Sequence, residues 1–351
     1  MIKLQKMLIR LIFSCIALIA ALTAISTVAG AAVLLETGIV SGVSNSQWST
    51  VFLNSHYSSM VVICSPNYDA SYPPLIVRIR NAVDNKFELL VDRLDNSSAP
   101  FTGVSVHYLV VEEGSYNEIE DGITMEAVKF TSTLTDNSYS WVGEARSYSN
   151  TYTNPVVIGQ VMSYNDPGVS IFWSHGPSAK DPPSASTLFV GKHVGEDSDK
   201  TRANETVGYL VIEAGSGFLG SMPYLAGLGQ DMIRGTDNGP PYSYQITGLP
   251  DVSTAIVSLA GMDGVNGGWA YLYGSDPLTT SSLALAVDED QLRDSERSHS
   301  DEQVAYLIFG PAAANAPPLA DNQNIVIEED FPAEITLTAS DPDNDPLSYN
   351  N

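Results

Sequence analysis

Cysteine is nearly absent from this chain of 351 residues, and the shortage excludes a fold held together by disulfide bonds. The two cysteines are Cys15 and Cys64. Cys15 lies in an N-terminal segment that we expect to be removed, so Cys64 would remain without an intramolecular partner. The residues before it, Met60–Ile63, are apolar, which predicts that Cys64 is a small buried residue of a β-strand. Each folded unit must therefore be held by its own apolar core.

Basic residues are also scarce, at 16 lysines and arginines against 41 aspartates and glutamates. Without Lys3, Lys6 and Arg10, which belong to the N-terminal segment, 13 basic residues oppose 41 acidic ones, a formal charge of −28. Nucleic acids and anionic membranes are bound through basic patches, so we expect neither as a partner. The acidity fits either the binding of divalent cations or solubility in salty surroundings.

Recognisable catalytic motifs are lacking as well. The five histidines are scattered and show no metal-ligand spacing. The sequence has no Gly-x-Ser-x-Gly elbow, no phosphate-binding loop and no dinucleotide fingerprint. We therefore expect no catalytic residues and a protein that is not an enzyme.

The first 31 residues have the three parts of a secretory signal peptide. Three basic residues are followed by an apolar run over residues 11–25 and by Ala-Gly-Ala at 29–31, a small-x-small cleavage pattern. Residues 1–31 are predicted to direct export and then to be cleaved. An uncleaved signal anchor is the alternative, because the apolar stretch continues toward Leu35. The mature protein is expected to be secreted, extracellular or displayed at a cell surface, with no membrane insertion after cleavage.

Helical periodicity is hard to find, whereas short alternating runs bounded by Gly, Pro, Asn and Asp recur throughout. Leu75–Arg80 and Phe87–Asp92 are two such runs, and the residues between them have the composition of a hairpin turn. The pattern predicts an all-β protein.

A short motif of Val, Tyr and Leu occurs three times, and its spacing indicates the architecture of the chain. It centres on Tyr108, Tyr209 and Tyr306, a spacing of about 100 residues that matches one small domain. We predict three related copies of one antiparallel β-sandwich module, and a repeated module favours recognition or adhesion over single-site chemistry. The predicted modules span residues 33–115, 116–218 and 219–311.

Aromatic side chains in polar loops are the candidate ligand contacts. Tyr68 and Tyr72 lie in an Asn/Asp/Pro loop of the first copy, and Tyr164 lies in the corresponding loop of the second. Such loops predict exposure, and an exposed ring can stack on the apolar face of a sugar. Trp173 and Trp269 lie in predicted strands and are expected in the core.

The second and third copies share an acidic pair at corresponding places, Glu196-Asp197 and Glu289-Asp290. This recurrence favours a solvated loop common to both copies. A weak cation site is the alternative.

The end of the chain carries a specific acidic motif. A Pro- and Ala-rich linker over residues 312–323 precedes Glu329-Asp330 and then the run Asp341-Pro-Asp-Asn-Asp345. Alternate carboxylates can converge on one hard cation, and calcium takes six to eight oxygen ligands. Asp341, Asp343 and Asp345 are therefore candidate calcium ligands, with an acidic turn that holds no ion as the alternative.

The motif closely resembles the opening of the cadherin-like, immunoglobulin-like tandem repeats of large bacterial surface proteins. The resemblance implies that Glu329 and Asp330 complete the calcium site. Modules of this kind need about 90–100 residues. Residues 324–351 are therefore expected to be the first strands of a truncated module, and the chain a fragment of a longer protein.

The first copy carries a second resemblance, based on the spacing of apolar and aromatic residues. The matching positions are Val51-Phe52, Tyr57, Met60–Val62, Ile76–Asn81, Phe87–Leu89 and Val104–Leu109. They resemble the H-type lectin domain, a six-stranded antiparallel β-sandwich that binds N-acetylgalactosamine-type sugars and often trimerises. That family usually has Trp in its closing strand where this chain has Tyr108, and no polar sugar-binding motif aligns. The resemblance thus implies the fold and assigns no sugar-contact residue.

These observations favour binding at a cell surface, namely adhesion to glycans or to another surface. Two alternatives stay open. The modules would be structural spacers that bind nothing, or they would be the non-catalytic arm of a secreted enzyme.

Overall fold

The computed structural model describes residues 33–138, 140–312, 317–323, 338–341 and 347. Over these residues the chain is almost entirely β-structure in several antiparallel sheets, which confirms the predicted all-β class. Strands form because β-branched and aromatic residues alternate with polar ones between turns rich in Gly, Pro and Asn.

The strands fall into three segments and a short tail. The first segment contains β1 (Leu35–Val43), β2 (Ser49–Tyr57), β3 (Met60–Tyr68), β4 (Leu75–Arg93) and β5 (Val104–Glu112). The second contains β6 (Gly114–Tyr116), helix α1 (Glu118–Asp121), β7 (Met125–Ser132), β8 (Thr135–Asp136), β9 (Glu144–Arg146), β10 (Pro155–Val161), β11 (Ile171–His175), β12 (Leu188–His193) and β13 (Glu205–Glu213). The third contains β14 (Gly215–Leu219), β15 (Met222–Leu228), a 3-10 turn (Thr236–Asn238), β16 (Tyr242–Gln245), β17 (Thr254–Leu259), β18 (Trp269–Tyr273), β19 (Ser282–Asp288) and β20 (Val304–Phe309). The tail contains β21 (Leu319–Ala320) and β22 (Ala339–Ser340).

Each segment builds the same antiparallel arrangement around its Tyr-Leu strand. β5 lies between β1 and β3, β13 lies between β7 and β10, and β20 lies between β15 and β17. Tyr108 and Tyr306 lie opposite Gly38 and Gly227, where an added Cβ would come within 2.5 and 2.4 Å of the tyrosine hydroxyls. A glycine at these two positions therefore leaves room for the aromatic ring.

A second set of strands completes each sandwich. β2 pairs with β4 in the first segment, β11 pairs with β12 in the second, and β18, β19 and β16 are neighbours in the third. The joints between segments are themselves β-hairpins, because β6 pairs with β7 and β14 pairs with β15. These hairpins begin at Gly114 and Gly215, a few residues before the predicted module starts.

The three segments pack as a closed ring around the equivalent strands β3, β10 and β17. The backbone N–H of Cys64 donates to Gln160 Oε1 (3.4 Å), that of Gly159 donates to Ser258 Oγ (3.2 Å), and that of Val257 donates to Ser65 Oγ (2.9 Å). A side chain of each segment thus accepts a hydrogen bond from a backbone N–H of a neighbouring segment, and this N–H would otherwise be buried without a partner. Cys64 is buried on this axis, as predicted.

The contacts away from the axis follow the same cyclic order, and we name the three interfaces by the segments they join. At seam 1/3, β3 pairs in parallel with β18. At seam 2/3, Ser174 and Ala260 form a parallel bridge. At seam 1/2, Gln160 Nε2 donates to the carbonyl oxygen of Val77 (3.0 Å). Head-to-tail contacts that close after three units are the geometry of a cyclic trimer. Here the three units are segments of one chain. One apolar core runs through all three segments.

Candidate functional site

Tyr68 does not lie exposed in a loop, so that expectation is wrong. It is the last residue of β3 and is 3% exposed. Its ring stacks on Tyr271 of the third segment at 3.9 Å between centroids. Its hydroxyl donates to Asp288 Oδ2 at 2.6 Å. The Tyr68 ring is thus buried in seam 1/3 by Tyr271 and Asp288, which are distant in the sequence. It is not free to stack on a ligand.

Asp288 lies at the centre of a buried ionic network in seam 1/3. It is fully buried and accepts hydrogen bonds from Arg297 Nε and Nη2 at 2.7 and 2.6 Å. Arg297 also donates to the carbonyl oxygen of Tyr72 at 2.8 Å. Burial alone would lower the pKa of Arg297, but its hydrogen bonds to Asp288 outweigh that effect and raise it. A buried charge needs such pairing, so the network holds the first and third segments together.

The acidic pairs shared by the second and third segments are largely buried, which corrects the favoured interpretation, although Asp197 is half-buried. Glu196, Glu289 and Asp290 are all buried. Glu289 accepts a hydrogen bond from His299 Nδ1, and Glu302 accepts one from His299 Nε2 at 2.7 Å. Burial alone would lower the pKa of His299, but these carboxylates raise it to about 9. The cluster is therefore a buried structural network around a protonated imidazole.

The described part of the chain contains no group of three or more His, Cys, Asp or Glu side chains placed to hold a metal ion. Of the predicted calcium ligands, Asp341 is described and lies next to β22, half-buried. Asp343, Asp345, Glu329 and Asp330 lie outside the described residues. Calcium binding at the tail stays a prediction.

The other two candidate tyrosines differ from each other in exposure. Tyr72 is half-buried and makes edge contacts with Tyr68 and Phe101, each at 6.4 Å between centroids. Tyr164 is 37% exposed and stands at seam 1/2. Trp173 and Trp269 are buried, as predicted.

Tyr164 is part of a partly exposed aromatic cluster that crosses seam 1/2. The ring of Trp48, from the first segment, meets the Tyr164 ring edge-on at 5.2 Å. The Arg78 guanidinium lies 4.4 Å from the Tyr164 centroid, and the Arg80 guanidinium lies 4.1 Å from the Trp48 centroid. We call these four residues the Trp48–Tyr164 surface. A guanidinium thus lies over one face of each ring.

Buried hydrogen bonds fix the position of the Tyr164 loop. Arg78 is 3% exposed and donates to the carbonyl oxygens of Asp166 (2.8 Å) and Pro167 (3.3 Å). From the opposite side Glu205, also buried, accepts the backbone N–H groups of Asn165 (3.1 Å) and Asp166 (2.9 Å). A ligand that binds here would not have to order the loop first, which lowers the cost of binding.

Sequence reasoning selected Tyr164 but missed Trp48, Arg78 and Arg80 as its neighbours. Arg78 and Arg80 were evident only as polar positions of an alternating strand. Trp48 precedes β2 in the first segment, and no local pattern connects it with a loop of the second segment. Only the ring arrangement brings these residues together.

Comparison with known proteins gives a weak likeness and shows no family for this chain. No family model matches the chain, and no solved structure matches it. The chain is 24% identical over 275 residues to Halomucin of Haloquadratum walsbyi, an alignment that covers 74% of this chain. The match spans only 3% of the length of Halomucin. Among the described residues no helix is both long and apolar enough to cross a membrane.

Proposed function

We propose that the chain is a non-enzymatic part of a cell-surface protein and binds carbohydrate at the Trp48–Tyr164 surface. The likeness to Halomucin, a surface protein, supports a role at the cell surface. The predicted signal peptide agrees with export. The ring of related segments provides a rigid support for a binding surface.

One observation carries the carbohydrate proposal: a partly exposed aromatic pair is held in place beside polar groups. A sugar presents apolar C–H faces and hydroxyl groups, so it needs an aromatic platform together with hydrogen-bonding partners. Trp48 and Tyr164 supply the platform. Asn165, whose side-chain nitrogen donates to the carbonyl oxygen of Asn204 (2.8 Å), lies next to Tyr164 and is exposed. Aromatic residues with one apolar face and one polar edge are typical of recognition surfaces.

The loops that follow β3, β10 and β17 differ in their aromatic residues. This difference restricts the proposed carbohydrate site to one seam. At seam 1/3 the corresponding Tyr68 is buried. At seam 2/3 the corresponding loop carries Asp263, which pairs with Lys180 at 3.6 Å. Trp141 lies against Gly267 of this loop, but its ring packs on the buried Trp173 and His193 at 5.2 and 5.3 Å between centroids. We therefore place the aromatic site only at seam 1/2.

Screening the full chain on a glycan array tests this proposal. We expect binding that Trp48→Ala and Tyr164→Ala each weaken by about 30-fold or more, since truncating a central aromatic anchor costs about 2 kcal/mol. Phe52→Ala is the matched control, because Phe52 is 72% exposed on β2 and lies outside this surface. Absence of binding to any glycan would favour the spacer role. Equal binding by Trp48→Ala and the unaltered chain would place the site elsewhere.

We also propose, from the sequence alone, that calcium binds at Asp341, Asp343 and Asp345. A melting temperature that is equal in calcium and in chelator would reject this proposal.

A further inference from the structure

A polar cavity of about 380 Å³ lies at seam 1/3, apart from the Trp48–Tyr164 surface. Its volume is in the range of small-molecule sites, roughly 300–1,000 Å³. Its lining combines side chains of the first and third segments. The polar side chains in the lining include Asn67, Ser105, His107, Ser253 and Asp276.

His107 is the most informative group in this cavity. It is 5% exposed, and its Nδ1 accepts the backbone N–H of Ala255 at 3.1 Å. Burial lowers the pKa of His107 to about 4, so the ring is neutral near pH 7. A neutral ring whose Nδ1 accepts must carry its proton on Nε2. The hydrogen bonds of the described residues include none to Nε2, so the cavity that His107 lines has this donor available.

Asn67 adds an unused acceptor. Its Oδ1 is buried and has no hydrogen-bond partner among the described residues. Leaving such an atom unpaired costs about 1–3 kcal/mol. Asn67 lies directly opposite Ser105 in the β3–β5 pairing, so the amide and this hydroxyl are neighbours in the cavity wall.

The cavity breaks the pseudo-threefold symmetry of the ring. The positions equivalent to His107 are Gly208 and Ala305. At Gly208 the space is taken by the sulfur of Met162 and a methyl group of Val61, which lie 2.2 and 3.1 Å from where a Cβ would be. Ala305 is fully buried. Of these three equivalent and described positions, 107 alone carries an imidazole, so packing of the ring does not require one there.

We propose that this cavity binds a neutral polyhydroxylated molecule, a monosaccharide or a polyol, through His107 and Asn67. The lining offers both donors and acceptors, as hydroxyl groups require. Its one charged group is the exposed carboxylate of Asp276, which disfavours anions. This proposal rests on the proposed function in one respect, because both assume a carbohydrate-like ligand. The residues of the cavity are separate from those of the Trp48–Tyr164 surface. Either site can therefore fail its test without the other.

Nuclear magnetic resonance of the full chain tests this inference. The probes are glucose, galactose, mannose, N-acetylglucosamine and glycerol, with glucuronic acid as an anionic control. We expect at least one neutral probe to shift the ring signals of His107 and to leave those of His175, His193 and His299 unchanged. Glucuronic acid should have no such effect.

Two variants complete the test. Ser105→Leu should fill the cavity and abolish the shift, and Ser216→Leu, an exposed residue of β14, should preserve it. Trp48→Ala should also preserve it, which separates this site from the surface at seam 1/2. The inference is overturned if no neutral probe shifts His107, or if the shift persists in Ser105→Leu.

Discussion

Replacing Asp288 by asparagine is expected to lower the free energy of unfolding by about 3–5 kcal/mol, the cost of removing one partner of a buried ion pair. The carboxylate is fully buried and accepts from Arg297 and from the Tyr68 hydroxyl. The variant would leave the charge of Arg297 buried without a counter-charge. Denaturant unfolding followed by tryptophan fluorescence measures the loss.

An exposed ion pair provides the control for this prediction. Asp301 pairs with Arg234 at 3.3 Å, and their side chains are 58% and 48% exposed. Asp301→Asn should cost no more than about 1 kcal/mol, because solvent screens such pairs. If both variants lost the same stability, the seam 1/3 network would not hold the segments together as we describe.

Replacing Trp173 by alanine should cost about 3–5 kcal/mol, the usual range for a buried tryptophan. Its ring is fully buried and stacks on His175 at 4.7 Å between centroids. Its Nε1–H donates to Asp136 Oδ2 at 3.0 Å, so truncation also removes a donor from a buried carboxylate. The change would leave a large cavity close to seam 2/3.

Trp48→Ala is the matched control, since Trp48 lies half-exposed at the surface. It should change the free energy of unfolding by less than about 1 kcal/mol, as surface substitutions generally do. This result is also needed for the binding experiment, because it shows that lost binding does not come from unfolding. A loss at Trp173 no greater than that at Trp48 would contradict the core assignment.

The sequence allowed prediction of the local elements but not of the contacts between segments. The Tyr108, Tyr209 and Tyr306 strands were recognisable because a half-buried strand repeats its side chains every two residues. The sequence predicts an exposed Tyr68, wrongly, because its neighbours Asn67 and Asp69 are typical of an exposed loop. Its burial depends on Asp288, which is 220 residues away in the chain.

The prediction that the acidic pairs are solvated is wrong for a similar reason, because it takes no account of distant partners. Local sequence predicts solvation for Glu289-Asp290, since isolated carboxylates are rarely buried. In the structure Glu289 is buried against His299, and Asp290 accepts the backbone N–H of Glu196 from the second segment at 2.9 Å. Such pairing becomes visible only when the segments are brought together.

The ring changes how the repeats should be understood. If the segments were independent domains, each would contain a complete ligand-binding site or none. In the structure the candidate sites lie at seams, so an isolated segment would contain only part of a site. It would also expose the β3, β10 or β17 strand that its neighbours cover, with residues such as Val61, Val62 and Ile63 that are fully buried in the ring.

Differential scanning calorimetry of the full chain tests the central claim, that the three segments form one closed unit. We predict a single main transition whose calorimetric enthalpy equals its van't Hoff enthalpy, because breaking one seam opens the ring and exposes the shared core. Three resolved transitions, or a calorimetric enthalpy about three times the van't Hoff value, would show that the segments unfold independently. That result would contradict the ring and, with it, the binding sites placed at its seams.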